Sequence, residues 1–439
     1  MGTSKKKAVS DKLIIFTRYP VPGKTKTRLI PELGPVGAAD VHRKLAQNII
    51  AEMEAFKTGK GIDLEICFTG GSTGQMRTWL GNSLSYAEQE DGDLGTRMYS
   101  AIKRSLHEGS SRIVLIGTDI PGQVSNQIET AFNSLTEKDI VLGPVMDGGY
   151  WLIGMKNPCN VFEGITWGKE TVLRQTLNAV EEKGFSVDLL APVNDIDTAG
   201  DLSVHNPHGD WNNPFLSVII PVINEETGLE KVIESVKNID AEIIVVDGGS
   251  NDSTVKLAER LDVTVIESPK GRSVQMNAGA SASHGNNLLF LHADTIVPEN
   301  YISLIFETLM DKRPVAGAFR FKTDMNNALM RSIEYAANLR SRFFKLPYGD
   351  QGIFISKEDF VKAGAYPDVP VAEDIFLIRR LKKFMKIKTA PENAVTSARR
   401  WEKHGFLKTT FVNVVIFLGC YLGIKPDKLY AIYRWAWSR

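Results

Sequence analysis

The feature of the sequence that most constrains its fold is an alternation, repeated twice, of short apolar segments with longer amphipathic ones. In the first half, helical patterns at 35–57 and 94–109 separate strand-like segments at 12–17, 63–69, 112–119 and 139–145. In the second half, strand-like segments recur at 215–222, 242–249, 263–268 and 287–294. Strands that alternate with helices favour mainly parallel sheets with crossover connections. We therefore expect two tandem Rossmann-like α/β domains.

Length and local composition predict the domain boundaries. A chain of 439 residues is too long for one hydrophobic core. Segment 203–214 is rich in Asn, Pro, His and Gly, which is typical of a linker. We expect α/β domains at 12–202 and 215–402, followed by a helical segment at 403–439.

Charge and cysteine content exclude several classes of protein. Lys+Arg and Asp+Glu both number 52, so the balanced charge gives no reason to expect nucleic-acid binding. Cys67, Cys159 and Cys420 are far apart, which argues against disulfide or zinc frameworks and favours the cytoplasm. The basic N-terminus lacks the apolar core of a signal peptide.

The longest apolar run, 411–424, leaves two interpretations open. It is shorter than the ~20 residues that a spanning helix needs. A helix packed on the second domain is one interpretation. The other is an interfacial anchor at the inner membrane face, in an enzyme that glycosylates a lipid. Basic residues upstream keep the second interpretation open: Arg399, Arg400, Lys403 and Lys408.

Polar residues mark the strand ends of the second half, where open α/β sheets bind ligands. They follow the first, second and fourth strands and open a later amphipathic helix: Pro221, Asn224, Glu225, Asp247, Gly248, Asp294, Glu373 and Asp374. Each alone is compatible with a turn or a helix cap. Their order along the chain indicates one ligand site.

These residues belong to motifs that resemble the family-2 inverting glycosyltransferases, which have the GT-A fold. The resemblance covers about residues 216 to 402 and includes SVIIPVINEE, IIVVDGGSNDST, KGRSVQMNAGA, LHADT, GDQGIF, AEDI and RRW. Within that family the segment is most similar to the arsenosugar-biosynthesis glycosyltransferases.

The resemblance implies a role for each residue. The residues that would bind the donor nucleotide are Pro221, Asn224, Glu225, Asp247, Gly248 and Arg272. Glu225 and Asp247 would accept hydrogen bonds from base and ribose, and Arg272 would contact the diphosphate. Asp294 would hold Mg²⁺ or Mn²⁺, and Asp374 would be the general base.

The sequence departs from the family pattern at two positions. His292 replaces the first Asp of Asp-x-Asp, and because imidazole is a poor Mg²⁺ ligand, we expect His292 to lie behind Asp294 or in the core. Ser397 replaces the Gln of the processive synthases' Gln-x-x-Arg-Trp, which favours transfer of a single sugar.

The loop after the first strand, FTRYPVPGKTKTRL, is the strongest local signal in the first half. It concentrates cations around a glycine: Arg18, Gly23, Lys24, Lys26 and Arg28. A solvated basic face is one interpretation. A phosphate-binding loop at the carboxyl edge of the sheet is the other.

Strand-end carboxylates beside glycines complete this half, at 90–98, 117–122, 143–154 and 195–198. Together with the basic loop they resemble a companion transferase family, also named for arsenosugar biosynthesis, over about residues 12 to 202. That family is similar to the molybdenum-cofactor and phospholactate guanylyltransferases. The resemblance implies that Asp119 and Asp197 hold Mg²⁺ and that Asp147 and Gly148 face the substrate.

We therefore expect a bifunctional sugar transferase. The second domain would transfer a sugar from a nucleotide-diphosphate donor to a small hydroxylated acceptor, with inversion. The first domain would be nucleotidyltransferase-like, accepting a nucleoside triphosphate or nucleotide-sugar, and would make the donor. Alternatively, the first domain is itself a glycosyltransferase or an inactive nucleotide-binding scaffold.

Overall fold

The computed structural model describes residues 10–205 and 213–437. The chain divides into two compact units, Met1–Asn212 and Asn213–Arg439, which are described separately below. Most of the predicted linker 203–214 lies outside the described residues.

The first unit, called the N-terminal unit, contains seven strands and six α-helices within the described residues. The strands are β1 (Asp11–Arg18), β2 (Ile62–Thr69), β3 (Ser85–Glu88), β4 (Ile113–Ile116), β5 (Ile140–Pro144), β6 (Tyr150–Met155) and β7 (Val187–Leu189). The helices are α1 (Ile30–Phe56), α2 (Thr73–Leu80), α3 (Leu94–His107), α4 (Ser125–Ser134), α5 (Val172–Glu182) and α6 (Ala199–His205).

The strands of this unit form one sheet of order β3-β2-β1-β4-β6-β5-β7. Neighbouring strands are parallel except at β6, which runs antiparallel to β4 and β5. The central strands are buried on both faces, as parallel strands covered by helices must be. The carboxyl ends of β1 and β4 therefore open at one edge, where the basic loop also begins.

The second unit, called the C-terminal unit, contains eight strands and ten α-helices within the described residues. The strands are β8 (Leu216–Val222), β9 (Ala241–Asp247), β10 (Thr264–Glu267), β11 (Asn287–Phe290), β12 (Thr295–Ile296), β13 (Val315–Thr323), β14 (Ile353–Ser356) and β15 (Lys386–Thr396). The helices are α7 (Leu229–Val236), α8 (Thr254–Arg260), α9 (Arg272–Ala282), α10 (Tyr301–Leu309), α11 (Ala328–Leu339), α12 (Lys357–Lys362), α13 (Glu373–Leu381), α14 (Arg399–His404), α15 (Phe406–Tyr421) and α16 (Pro426–Trp437).

The second sheet repeats the strand order of the first, as β10-β9-β8-β11-β14-β13-β15, and adds β12 at the edge. Here β14 is the antiparallel strand inside the sheet, paired with β11 and β13. The predicted fold class, two α/β domains with mainly parallel sheets and a helical C-terminal segment, is confirmed. The antiparallel strands β6 and β14 make both sheets mixed.

Some strands are shorter than the sequence predicted; the strand expected at 112–119, for example, spans only Ile113–Ile116. The strand expected at 287–294 ends at Phe290, and the chain turns through His292 before Thr295–Ile296 pairs with β15. Thr295 Oγ1 and Thr396 Oγ1 lie 3.0 Å apart across that pairing. The turn releases His292 and Asp294 from the ladder, so their side chains lie at the carboxyl edge of β11.

The C-terminal helices pack on the unit through one side of α15. Val412, Ile416 and Cys420 form an apolar cluster with Ile375 of α13 and Leu429 of α16. Among the described helices, none is both long enough and apolar enough to span a bilayer.

Candidate active sites

A cavity of about 500 Å³ opens at the carboxyl edge of β8 and β11 in the C-terminal unit. Five of the predicted site residues line it: Pro221, Glu225, Arg272, Asp294 and Asp374. They come from the ends of β8 and β11 and from the first turns of α9 and α13. The topology therefore gathers residues that are up to 153 positions apart in the sequence.

Asp374 is the second residue of α13, and its carboxylate is held by two backbone amides. Oδ2 accepts a hydrogen bond from Gly349 at 2.7 Å, and Oδ1 accepts one from Ile375 at 2.7 Å. A Cβ at position 349 would lie 2.7 Å from Nε2 of His292. Since that contact is too close for a side chain, glycine allows the β11 turn and the α13 start to converge on this loop.

Arg399 connects two of the predicted residues. Its Nη2 donates to Oε1 of Glu225 at 2.5 Å and lies 3.4 Å from Oδ2 of Asp294. The second oxygen of Glu225, Oε2, is buried and has no hydrogen-bond partner. Because a buried carboxylate oxygen without a partner is costly, Oε2 is a ready acceptor for a ligand donor.

Arg272, at the start of α9, forms an ion pair with Glu373 in the lining of the same cavity. Arg272 Nη1 lies 3.4 Å from Glu373 Oε1, and the arginine side chain remains 47% exposed toward the cavity. Burial raises the pKa of Glu373, as does the neighbouring Asp374 carboxylate, although Arg272 opposes the shift. The ion pair with Glu373 therefore holds the Arg272 guanidinium in place, and its remaining donors are available to a ligand in the cavity.

Asp350 and His292 are two further cavity residues with perturbed titration. Burial raises the pKa of Asp350 to about 6, with help from the charges of Asp374 and Asp294 and against the effect of Arg340. Burial lowers the pKa of His292 well below its usual value, and Arg272 and Arg400 lower it further. The imidazole is therefore neutral at pH 7.

Three predicted donor-binding residues lie at the same sheet edge but outside the cavity wall. Asp247 Oδ2 accepts from Gly249 N at 2.9 Å, and its Oδ1 accepts from Ser250 Oγ at 2.5 Å. Asn224 Oδ1 accepts from Asn251 N at 2.8 Å. At Gly248 a Cβ would meet the Gln275 side chain at 2.9 Å. The side chains of Asp247 and Asn224 take part in local turn hydrogen bonds, and the role of all three residues in donor binding stays a prediction.

A divalent cation is the group implied by the predicted role of Asp294. Within the described ranges, no cluster of three or more His, Cys, Asp or Glu side chains is arranged to hold a metal. Asp294 and Asp350 nevertheless face the same cavity, and Oδ1 of Asp350 is buried without a hydrogen-bond partner. Two carboxylates in one cavity, one of them with an unpartnered oxygen, fit a hard cation whose remaining ligands come from a diphosphate.

A second cavity of about 500 Å³ lies at the carboxyl edge of β1 and β4 in the N-terminal unit. Beside it, Nζ of Lys26 lies 2.7 Å from Oδ1 of Asp119 and 2.8 Å from Oδ1 of Asp197. The backbone amide of Ile196 donates to the carbonyl of Asp119 at 2.8 Å and draws the two segments together. A lysine ammonium thus bridges the two predicted metal ligands.

Electrostatics at this bridge favour the charged forms of both partners. Burial lowers the pKa of Lys26, but the carboxylates of Asp119 and Asp197 outweigh it and raise the pKa overall. Burial raises the pKa of Asp119, but Lys26 and His42 outweigh it and lower the pKa overall. Two carboxylates fit a divalent cation only if Lys26 moves away or the cation binds their outer oxygens.

The other predicted phosphate-binding residues are mostly solvent-exposed. Arg18 lines the cavity, and its carbonyl accepts from His42 Nε2 at 3.1 Å. Lys24 is exposed, and Gly23 has φ 75°, so it forms the left-handed turn of the loop. Arg28 Nη1 lies 3.5 Å from Asp197 Oδ2. The basic loop therefore has one buried cation, Lys26, and an exposed set around it.

Asp147 and Gly148 precede β6. Asp147 is exposed, and its Oδ1 accepts from Gly149 N at 2.9 Å. A Cβ at Gly148 would lie 2.1 Å from the carbonyl oxygen of Glu170, so this glycine is required for backbone packing. Asp195 lines the cavity, and burial raises its pKa to about 6, helped by the charges of Asp147 and Asp197.

Three residues lie in the two sites without a predicted role there, namely Arg399, His42 and Asp195, whereas Asp350 was an alternative candidate for the base. Arg399 and Asp350 lie in the motifs RRW and GDQGIF, so a signal for them existed. His42 lies 3.6 Å from Asp119 but belongs to the long amphipathic helix α1, where a lone histidine carries no local signal.

Family models match both units. Residues 217–365 match the model described as glycosyl transferase family 2. Residues 52–169 match a model described as an uncharacterized protein conserved in bacteria, DUF2064. The first match includes the β8, β9 and β11 ends and the Gly349 loop; it ends before α13.

Curated relatives are similar to parts of this chain. Glycosyltransferase AglE of Haloferax volcanii is 33% identical over 93 residues, covering 18% of this chain and 31% of AglE. The GalNAc(5)-diNAcBac-PP-undecaprenol beta-1,3-glucosyltransferase of Campylobacter jejuni is 32% identical over 164 residues. The match covers 34% of this chain and 48% of that enzyme. The chain spans less than two thirds of either relative.

Solved structures are similar as well. A candidate nucleotide-diphospho-sugar transferase from Desulfovibrio desulfuricans is 33% identical, with 46% of this chain and 90% of that chain covered and a TM-score of 0.42. The family matches identify a domain in each unit. The C-terminal unit carries a glycosyl transferase family 2 domain, so this unit is a glycosyltransferase, and the N-terminal unit carries a DUF2064 domain.

Proposed function

We propose that the C-terminal unit transfers a sugar from a nucleotide-diphosphate donor to a hydroxylated acceptor, with inversion at the anomeric carbon. The observation that carries this proposal is the cavity that gathers Glu225, Arg272, Asp294 and Asp374 at the carboxyl edge of the sheet. The family 2 match and the glycosyltransferases among its relatives agree with it. The resemblance to arsenosugar glycosyltransferases favours a small acceptor.

The donor would lie along the wall formed by the β8 end and α9. The unpartnered Oε2 of Glu225 would accept a hydrogen bond from the nucleoside, and Pro221 would pack against it. Arg272 and the neighbouring Lys270 would contact the diphosphate, since guanidinium donors match phosphate oxygens. In this arrangement Asn224, Asp247 and Gly248 shape the loop rather than line the cavity.

Asp374 would act as the general base. The acceptor oxygen attacks the anomeric carbon while its proton passes to the Asp374 carboxylate, and the bond between that carbon and the diphosphate oxygen breaks. The electron pair of that bond leaves with the nucleoside diphosphate. A single displacement from the opposite face gives inversion. The amides of Gly349 and Ile375 hold the carboxylate in one orientation.

Asp294 and Asp350 would hold Mg²⁺ or Mn²⁺. Bound there, the ion would supply positive charge to the departing diphosphate. Neutral His292 lines the same cavity, next to Gly349. A Pyrobaculum calidifontis mannosyltransferase that is a distant structural neighbour was solved with GDP-Man and Mn²⁺.

The N-terminal unit would bind a nucleotide in its own cavity. Arg18 on the wall, the exposed Lys24 and Arg28, and the Lys26 bridge support a site for an anionic ligand. Nucleotidyl transfer that makes the donor is the activity we favour. If this unit is an inactive nucleotide-binding scaffold instead, it will bind a nucleotide but release no pyrophosphate from any nucleoside triphosphate.

A panel of nucleotide-sugars, scored for released nucleoside diphosphate with the full chain, tests the proposal. We expect turnover with at least one donor, loss of turnover in excess chelator and recovery with Mn²⁺. Asp294→Ala should abolish turnover while the unfolding temperature is unchanged within error. Full activity in excess chelator contradicts the proposed cation site, and no release from any donor contradicts sugar transfer.

A further inference from the structure

Helix α15 presents a mostly exposed apolar face to solvent. Five exposed residues recur at intervals of four and three, so they lie along one side of the helix. They are Leu407, Phe411, Val414, Leu418 and Tyr421, of which Leu407 is 82% exposed and Phe411 69%. Leu422, 77% exposed, continues the row. We call these six residues the α15 outer face.

This face is larger than folding requires. The opposite side of α15 already packs in the core through Val412, Ile416 and Cys420. Scattered exposed apolar residues are normal, but a continuous row over four helical turns marks an interaction surface. The row has the geometry of a helix that lies in a membrane interface.

Charge around the α15 outer face is predominantly positive. Between residues 399 and 437 the chain has seven Lys or Arg and two acidic residues, whereas the whole chain is balanced at 52 of each sign. Helix α15 itself contains Lys408 and no acidic residue. The exposed Lys403 precedes the row and the exposed Lys425 follows it. The surroundings therefore complement an anionic surface.

A second exposed apolar patch adjoins this face. Phe343 and Phe344 are 66% and 65% exposed. Lys382 Nζ donates to the carbonyl of Phe344 at 2.7 Å, and Lys382 also lines a small cavity with Tyr421. Arg342 and Lys345 flank the two rings in the sequence. Phenylalanine rings beside basic side chains are typical of segments that lie in a membrane interface.

We propose that the C-terminal unit docks on an anionic lipid bilayer through the α15 outer face and the Phe343–Phe344 patch. Asn413 and Ile416, on the other side of α15, line the cavity of the glycosyltransferase domain. Docking brings this cavity within about one helix diameter, roughly 10 Å, of the bilayer. The docking itself does not depend on the proposed reaction.

Sedimentation with vesicles tests the docking. The full chain is mixed with vesicles of phosphatidylcholine alone or of phosphatidylcholine with phosphatidylglycerol. We expect binding to the anionic vesicles that weakens as salt rises to about 1 M, where the screening length falls to about 3 Å. Phe411→Glu with Leu418→Glu should lower the apparent affinity by at least about tenfold, because two large apolar groups are replaced by repelled charges.

A matched control places the same two charges elsewhere on the C-terminal unit. Ile239 and Val361 are each 65% exposed and lie outside the proposed surface, so Ile239→Glu with Val361→Glu should bind vesicles as the unchanged protein does. Equal loss in both double variants, or no binding to anionic vesicles, overturns the proposal. Dimers in solution that the Phe411 and Leu418 changes dissociate, without vesicle binding, would assign the face to a second copy.

Discussion

The backbone amide of Gly349 donates a hydrogen bond to Oδ2 of Asp374 across 2.7 Å. This bond joins the loop before β14 to the first turn of α13, two segments that both line the cavity of the C-terminal unit. It holds one carboxylate oxygen, while Ile375 N holds the other. The same geometry serves a helix cap and a general base, so mutation must separate the two roles.

Asp374→Asn separates them. Asparagine caps a helix about as well as aspartate does but cannot take up the acceptor's proton. We expect kcat to fall by roughly 10²–10⁴-fold while donor affinity, measured by calorimetry, is nearly unchanged. Asp427, also the second residue of its helix, provides the control, and Asp427→Asn should keep normal turnover. Near-normal turnover of Asp374→Asn would make this residue a cap.

Asp350 should make the protein less stable as pH rises. Its pKa is raised to about 6 by burial and by the charges of Asp374 and Asp294, whereas the unfolded chain releases this proton near 3.8. Between these values the folded state binds more protons, so the free energy of unfolding decreases as pH rises from about 4 to 6.

Asp350→Asn removes this penalty. At neutral pH we expect the variant's C-terminal unit to be more stable by on the order of 2–3 kcal/mol, with little difference near pH 4. Calorimetric unfolding of the full chain at both pH values measures the change. Asp368→Asn, at an exposed carboxylate, is the control and should shift neither transition. A gain of equal size at both pH values would show that the charge of Asp350 is not its cause.

His292→Asp should change the metal preference of the C-terminal unit. A neutral imidazole is a poor Mg²⁺ ligand, and an added carboxylate would lie near the positive charges of Arg272 and Arg400. We expect half-maximal activity at a lower Mg²⁺ concentration, with little change for Mn²⁺. His292→Asn, which adds no charge, is the control. Identical Mg²⁺ dependence in both variants would place residue 292 outside the cation site.

Local sequence patterns correctly predicted those strands whose own residues form an apolar, β-branched run. The segment predicted at 215–222 forms β8 over Leu216–Val222, because an apolar β-branched run is sufficient to specify a buried strand. The segment predicted at 287–294 ends at Phe290, since Thr295 pairs with Thr396 of β15, a partner 101 residues away. No local pattern encodes that pairing.

For the candidate sites, too, local sequence patterns predicted only some of the residues. Residues at strand ends, such as Asp294 and Asp119, could be selected because the carboxyl edge of a sheet is a general ligand position. Their partners could not. Arg399 reaches Glu225 from 174 positions away, and Lys26 reaches Asp197 from 171 positions away. Ion pairs of this span depend on the folded topology rather than on any motif.

The ammonium group of Lys26 lies between Asp119 and Asp197, the two carboxylates that were predicted to hold a cation. Replacing this lysine tests whether it competes with a cation. Its side chain is 5% exposed, while that of Asp119 is 51% exposed and that of Asp197 35%. Removing the lysine leaves two like charges close together without a counter-ion. Because solvent screens the exposed Asp119, the loss should be about 2 kcal/mol rather than the ~3–5 kcal/mol of a fully buried pair.

Lys26→Met should therefore lower the unfolding temperature of the N-terminal unit. Mn²⁺ should raise this temperature more in the variant than in the unchanged protein, because a divalent cation can then bind between Asp119 and Asp197. Lys24→Met, in the same loop at an exposed position, should alter neither value. If Lys26 acts only as a phosphate ligand, its loss will weaken nucleotide binding without changing stability. Equal shifts with Mn²⁺ in the variant and the unchanged protein would show that the lysine does not compete with a cation at this position.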